Sequence, residues 1–152
     1  MDKKIKVMVV DDSLPFRSIL SSLVSEHSDI QVIATAYSGK MALHRMESEE
    51  KLPDVVVLDY EMPEMDGFQT LKVIKSKYPN IAVIILSAFA ESKNGHFVKR
   101  AKELSADEVM YKMKEGKSRE ENIALIKAEL IEKILGCYNQ SRMFHKKKKS
   151  DQ

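Results

Sequence analysis

Asp11, Asp12, Asp59, Ser87 and Lys112 are the residues whose types and placement could do chemistry in this chain. Each stands at or just beyond the end of an apolar run. Val9-Val10 leads into Asp11-Asp12, Val55-Val56-Val57-Leu58 into Asp59, Ile84-Ile85-Leu86 into Ser87, and Val109-Met110-Tyr111 into Lys112. Hard carboxylate oxygens suit Mg²⁺, which takes one or two carboxylates, waters and a phosphate in near-octahedral geometry. Asp11, Asp12 and Asp59 would supply such carboxylates, and the backbone carbonyl of Glu61 a further oxygen. A carboxylate in that setting can act as a nucleophile and become an aspartyl phosphate. Lys112 offers a positive charge to a phosphoryl oxygen, Ser87 a hydroxyl, and the small Ala88 leaves access to Asp59. Taken singly, each has a plainer explanation. A lone Asp at a strand end is commonly a cap or turn residue, Ser87 could cap the next helix, and Lys112 could be one solvated lysine beside Lys114 and Lys117. It is the order, Asp-Asp, Asp, Ser, Lys after successive runs, that carries the signal.

For these groups to meet, the runs must be parallel strands of one sheet. Parallel strands buried on both faces read as near-continuous apolar stretches, and here such stretches alternate with helical patterns, as in βαβ units. Strands are predicted over residues 5–10, 30–36, 55–58, 81–86 and 108–111. Ser13 can cap the first helix, with Pro15 in its first turn, and Phe16, Ile19, Leu20, Leu23 and Val24 recur at helical spacing. Ser38-Gly39 opens a second helix. Asp66-Gly67 is a turn dipeptide leading into a third. Asn94-Gly95 interrupts or delays a fourth, which carries Phe97, Val98, Ala101 and Leu104. The last helix is predicted from near Ser118 to about Tyr138, with Ile123, Ile126, Leu130 and Ile134 as its stripe. Open α/β sheets bind ligands beyond the carboxyl ends of their strands, which is where the five residues would stand.

The remaining bulk properties exclude more than they assign. A chain of 152 residues with 32% charged and 43% hydrophobic residues is ordinary for one soluble domain. A net charge of +2 argues against a dedicated nucleic-acid binder. No apolar stretch approaches the roughly 20 residues that cross a bilayer, and no signal peptide is legible. Cys137 has no second cysteine to pair with, which suits a reducing compartment, so the cytoplasm is the expected location. Residues 1–138 are expected to form the domain. Residues 139–152, with Lys146-Lys147-Lys148-Lys149, read as a basic linker or disordered tail.

Val9-Val10-Asp11-Asp12-Ser13, Leu58-Asp59, Met62-Pro63-Glu64-Met65-Asp66-Gly67, Ser87-Ala88 and the late Lys112 together resemble the receiver domain of two-component response regulators. The resemblance covers roughly residues 5–135. It implies a flavodoxin-like, doubly wound α/β fold, with a five-stranded parallel sheet of order 2-1-3-4-5 and five helices. It further implies a histidine kinase as phosphodonor, Asp59 as acceptor, and Asp11 and Asp12 as an acidic Mg²⁺ pair joined by Asp59 and the Glu61 backbone. Ser87 and Lys112 would be the switch hydroxyl and the phosphate-contacting lysine, with Glu61 and Phe89 flanking the phosphate and affecting its hydrolysis. Within the family, Asp29 to Ala36 and the text from Leu58 to Phe68 are most similar to the regulatory domains of chemotaxis protein-glutamate methylesterases. Glu129-Leu130-Ile131-Glu132-Lys133-Ile134 resembles the linker helix of those proteins. No glycine-rich turn carrying a serine nucleophile is present, so an esterase domain would have to lie outside this chain. The alternatives are a stand-alone receiver that binds a target or relays phosphate, and a Mg²⁺-dependent phosphatase with an aspartyl nucleophile. The phosphatase is disfavoured by Glu61, where a second Asp would be expected. Two positions depart from the family pattern. Met113 follows the late lysine in place of proline, and Val109 stands where a switch aromatic is usual, with Tyr111 nearby.

Overall fold

The computed structural model describes residues 3–48, 52–88, 90, 95–112 and 116–150, the stretch 142–150 as helical backbone only. Met113 and Phe89 lie outside the described residues. The elements alternate throughout: β1 (Ile5–Val10), α1 (Leu14–Ser25), β2 (Ile30–Ala36), α2 (Gly39–Ser48), β3 (Val55–Asp59), α3 (Gly67–Lys77), β4 (Ala82–Ser87), α4 (His96–Glu103), β5 (Glu108–Tyr111) and α5 (Arg119–Ser150). The strands form one parallel sheet in the order β2-β1-β3-β4-β5, as the resemblance implies.

Side chains alternate across a strand, and each central strand here feeds two cores. Val7 and Val9 of β1, Val55 and Val57 of β3, and Ile84 and Leu86 of β4 face one side, where Leu20 and Val24 of α1 and Leu130 and Ile134 of α5 cover them. Met8 and Val10, Val56 and Leu58, and Val83 and Ile85 face the other, under Met46 of α2, Leu71 and Ile74 of α3, and Phe97 of α4. Every residue of β3 and β4 is buried. This two-sided burial is why the runs are continuously apolar.

The helix starts follow from local chemistry. Ser13 Oγ accepts from the Phe16 amide at the start of α1, with Pro15 in the first turn. Asp66 and Gln69 close a reciprocal capping box on α3: the Gln69 amide donates to Asp66 Oδ1, and the Asp66 amide donates to Gln69 Oε1, both at 2.9 Å. Gly95, at φ 62°, is the cap position before His96, where α4 begins, and Asn94 lies outside the described residues. Gly67 is required for close approach. A Cβ there would lie 2.7 Å from Tyr60 Cα and 2.8 Å from the Asp59 carbonyl oxygen, so α3 begins hard against the end of β3.

Four boundaries differ from the sequence reading, one of them the end of β4, which includes Ser87. β3 includes Asp59 itself, which pairs with Leu86. β4 begins at Ala82, because the Ile81 amide is used in a turn to the Tyr78 carbonyl. The larger correction is at the end of the chain. α5 does not stop near Tyr138 but continues to Ser150, so the stretch read as a linker or disordered tail is helical through that residue. No Gly or Pro follows Tyr138. Lysine has good helix propensity, and cations at a helix C-terminus complement its dipole. Among the described residues, no helix is long and apolar enough to cross a membrane.

Candidate functional site

Asp11 follows β1 directly, Asp59 ends β3, Ser87 ends β4 and Lys112 follows β5. Because the strands are parallel and in register, the four residues stand at one edge of the sheet. Asp11, Asp59 and Ser87 are 0%, 2% and 0% exposed, whereas Asp12 is exposed. Asp11, Asp12 and Asp59 each bring a carboxylate oxygen within 4.8 Å of the others. Lys112 Nζ lies 3.1 Å from Asp11 Oδ2 and 3.2 Å from Asp59 Oδ1. It also sits over the Phe16 ring, 4.5 Å from the centroid, a cation–π contact that helps hold a half-buried amine.

The backbone around these groups is tied down. The Ser13 amide donates to Asp11 Oδ1 at 2.8 Å, and Arg17 Nη1 donates to the Asp11 carbonyl at 2.7 Å. The Tyr60 amide donates to the Leu86 carbonyl and the Lys112 amide to the Ser87 carbonyl. The Tyr60 carbonyl accepts from the Met62 and Gly67 amides, folding the loop after Asp59 back on itself. The Tyr60 ring packs on Phe68 of α3 and edge-on to Phe97 of α4, at centroid distances of 4.6 and 4.8 Å.

Burial dominates the electrostatics. It pushes the Asp59 carboxyl up to about 8, helped by the neighbouring Asp11 charge and by a contact with Glu61, and opposed by Lys112. Asp11 is raised for the same first reason, against the lowering effect of the Ser13 amide and of Lys112. Burial works against the charged form of Lys112, but the two carboxylates outweigh it and the amine is held above its usual range. Asp11 Oδ2 and both Asp59 oxygens are buried without a well-formed hydrogen bond. Buried acceptors left in that state are costly, and a hard divalent cation satisfies closely spaced carboxylate oxygens by favouring their ionised form. The donor set therefore fits Mg²⁺.

The sequence reading placed Glu61 beside the phosphate and gave its backbone carbonyl to the metal, but it did not foresee the partners of the side chain: Glu61 Oε1 accepts from Ser87 Oγ at 2.7 Å and from the Ala88 amide at 2.9 Å. The signal available was an acidic residue two positions after Asp59, and its reach depends on a loop curvature that spacing does not encode. Val109 is half-buried on β5 and packs against the core on the α2–α3–α4 side. With Val98, Lys102 and Tyr111 it lines a groove of about 240 Å³.

Comparison with known proteins gives one consistent answer. The family model described as the response regulator receiver domain matches residues 7–122. A protein-glutamate methylesterase/protein-glutamine glutaminase of Trichodesmium erythraeum is 36% identical over 131 residues, covering 86% of this chain and 36% of that protein. Its counterpart in Clostridium acetobutylicum is 32% identical over 139 residues, covering 91% of this chain and 38% of the relative. The chain thus spans little more than a third of the length of these curated relatives. The crystal structure of the response regulator domain of Thermotoga maritima CheB superposes with a TM-score of 0.78 at 30% identity, covering 90% of this chain and 98% of that one. This chain belongs to the response regulator receiver domain family, and within it is CheB-like.

Proposed function

We propose that Asp59 accepts a phosphoryl group from the phosphohistidine of a chemotaxis-type histidine kinase, with Mg²⁺ as the metal. Asp11, Asp12, Asp59 and the Glu61 backbone carbonyl would hold the ion, which when bound supplies positive charge to the transferring phosphoryl oxygens. The observation that carries this reading is Lys112 Nζ within 3.2 Å of both buried carboxylates at the sheet edge. Asp59 first gives up its proton to solvent; the ionised carboxylate then attacks phosphorus in line, the P–N bond breaks, and the imidazole departs with the electron pair and takes up a proton from solvent. Lys112 and Ser87 then hold phosphoryl oxygens from two sides, exchanging contacts with the carboxylates for contacts with the new group.

The product adds charge and acceptor oxygens at the ends of β3, β4 and β5. Ser87 and Lys112 turn toward it, and the α4–β5–α5 face shifts between two states. Tyr60, packed against Phe97 of α4, offers a second mechanical link from the acceptor to that face. In the methylesterase relatives the analogous output is the rest of the protein, and a C-terminal methylesterase domain is the partner we assign to this receiver.

Phosphotransfer is tested with labelled phosphohistidine kinase and Asp59→Ala. The variant keeps its circular dichroism spectrum and loses the label. Undiminished labelling of the folded variant would overturn the assignment.

A further inference from the structure

The donors that a phosphoryl group on Asp59 would need already have an occupant. Glu61 Oε1 accepts from both Ser87 Oγ and the Ala88 amide. A hydroxyl and a backbone amide converging on one anionic oxygen is a charge-assisted arrangement. The strand register puts that pair beside the acceptor, since Asp59 pairs with Leu86, the residue before Ser87.

We infer that the Glu61 carboxylate is a resident competitor for the phosphoryl group, seated on the Ser87 hydroxyl and the Ala88 amide, and must leave them when Asp59 is phosphorylated. This rests on Asp59 being the acceptor. A serine hydroxyl has one proton to donate, so Glu61 and a phosphoryl oxygen cannot both receive it. Two anions on adjoining sites would also repel. The seat is a poor one for Glu61, because its second oxygen, Oε2, is buried without a well-formed hydrogen bond and the carboxylate lies against the Asp59 carboxyl, a second acid. An acceptor stripped of water and left unpaired raises the energy of the seated state. The carboxylate is thus displaceable, and displacement returns Oε2 to solvent. Glu61 sets the threshold at which the switch is thrown: it keeps Ser87 engaged without phosphate and opposes the phosphorylated state when phosphate arrives.

The probe is beryllofluoride, which bonds a carboxylate oxygen and mimics its phosphoryl group, titrated calorimetrically into the whole chain at saturating Mg²⁺. Glu61→Ala should bind it about tenfold more tightly than the parent chain, the effect of one lost charge-assisted contact. Glu61→Gln, which keeps an acceptor oxygen but not the charge, should fall between them and guards against a folding defect in the alanine variant. Ser87→Ala, combined with Glu61→Ala, should erase most of the gain. Equal or weaker binding by both Glu61 variants, with normal binding by the parent chain, would overturn the competition while leaving Asp59 as acceptor. Absence of binding in every chain, the parent included, would instead remove the phosphoacceptor reading and this inference with it.

Discussion

Lys112 Nζ stands 3.2 Å from Asp59 Oδ1, with that carboxylate almost entirely out of solvent. The amine is also 3.1 Å from Asp11 Oδ2, so one cation offsets two buried acids. Removing one member of a buried pair strands the other, at a cost of about 3–5 kcal/mol when neither can neutralise. Asp59, raised to about 8, largely holds a proton at neutral pH, which lowers the cost. Lys112→Met should therefore destabilise the metal-free chain by on the order of 2–3 kcal/mol at neutral pH. Millimolar Mg²⁺ should recover much of the loss, because a ligand that binds only the folded state stabilises it. Urea denaturation with and without the ion measures both effects. A variant as stable as the parent in chelator would show that the amine is solvated.

The raised Asp59 carboxyl makes a signed prediction about pH. Its value is about 8 in the fold against an ordinary 3.8, so between these limits the folded chain binds more protons than the unfolded one. Stability then falls as pH rises through that window. The contribution is fully present below about pH 4 and lost by the time pH passes about 8. Asp11, raised in the same direction, adds to the slope. Thermal melts of chelator-treated protein from pH 5 to 8.5 should show a falling midpoint. Asp59→Asn, which cannot ionise, should flatten the curve and be the more stable protein at the alkaline end. A parent chain whose midpoint is level across this range would contradict the electrostatics of the site.

Gly67 joins the acceptor strand to α3, and its hydrogen atom faces backbone. A methyl group there would meet Tyr60 Cα at 2.7 Å and the Asp59 carbonyl oxygen at 2.8 Å. These atoms are main chain and cannot rotate aside. Gly67→Ala should cost about 1–3 kcal/mol, as overpacking does, despite the better helix propensity of alanine. It should also slow phosphorylation, because the relief of the clash moves the end of β3. A stabilised variant with normal labelling would mean that the loop yields freely.

Much of this arrangement was legible in the text of the chain, for definite reasons. Val7 to Val10, Val55 to Leu58 and Ile84 to Leu86 are apolar without alternation because both faces of their strands are covered. A polar residue that ends such a run marks the sheet edge, which is how Asp11, Asp59, Ser87 and Lys112 could be grouped from text alone. The partners of the Glu61 side chain were not legible. Whether it points to solvent or to Ser87 depends on how the Tyr60 carbonyl collects the Met62 and Gly67 amides, a three-dimensional detail with no period. The end of α5 was misread for another reason. A run of lysines has no apolar stripe, and periodicity reports packing rather than backbone conformation, so a helix can continue through such a run without a signal in the text.

That helix end supplies the last prediction. Leu130 and Ile134 of α5 are wholly buried and Cys137 is 7% exposed, whereas Asn139 and Gln140 are exposed. Burial pushes the Cys137 thiol up to about 11, so it behaves as a packed apolar group and not as a reactive one. Among the described residues the core on this side therefore reaches to the turn holding Cys137 and Tyr138. A chain ended after Ser141 should keep the stability of the full one to within about 1 kcal/mol, since distant surface changes cost little. Its helical circular dichroism should fall by the share of the removed turns. A chain ended after Lys133 loses Ile134 and Cys137 from the core. It should be destabilised by several kcal/mol, given about 2–5 kcal/mol for deleting one large buried aliphatic side chain. If the first truncation were as damaging as the second, the basic turns would have to be packed against the domain, and the boundary near residue 138 would be wrong.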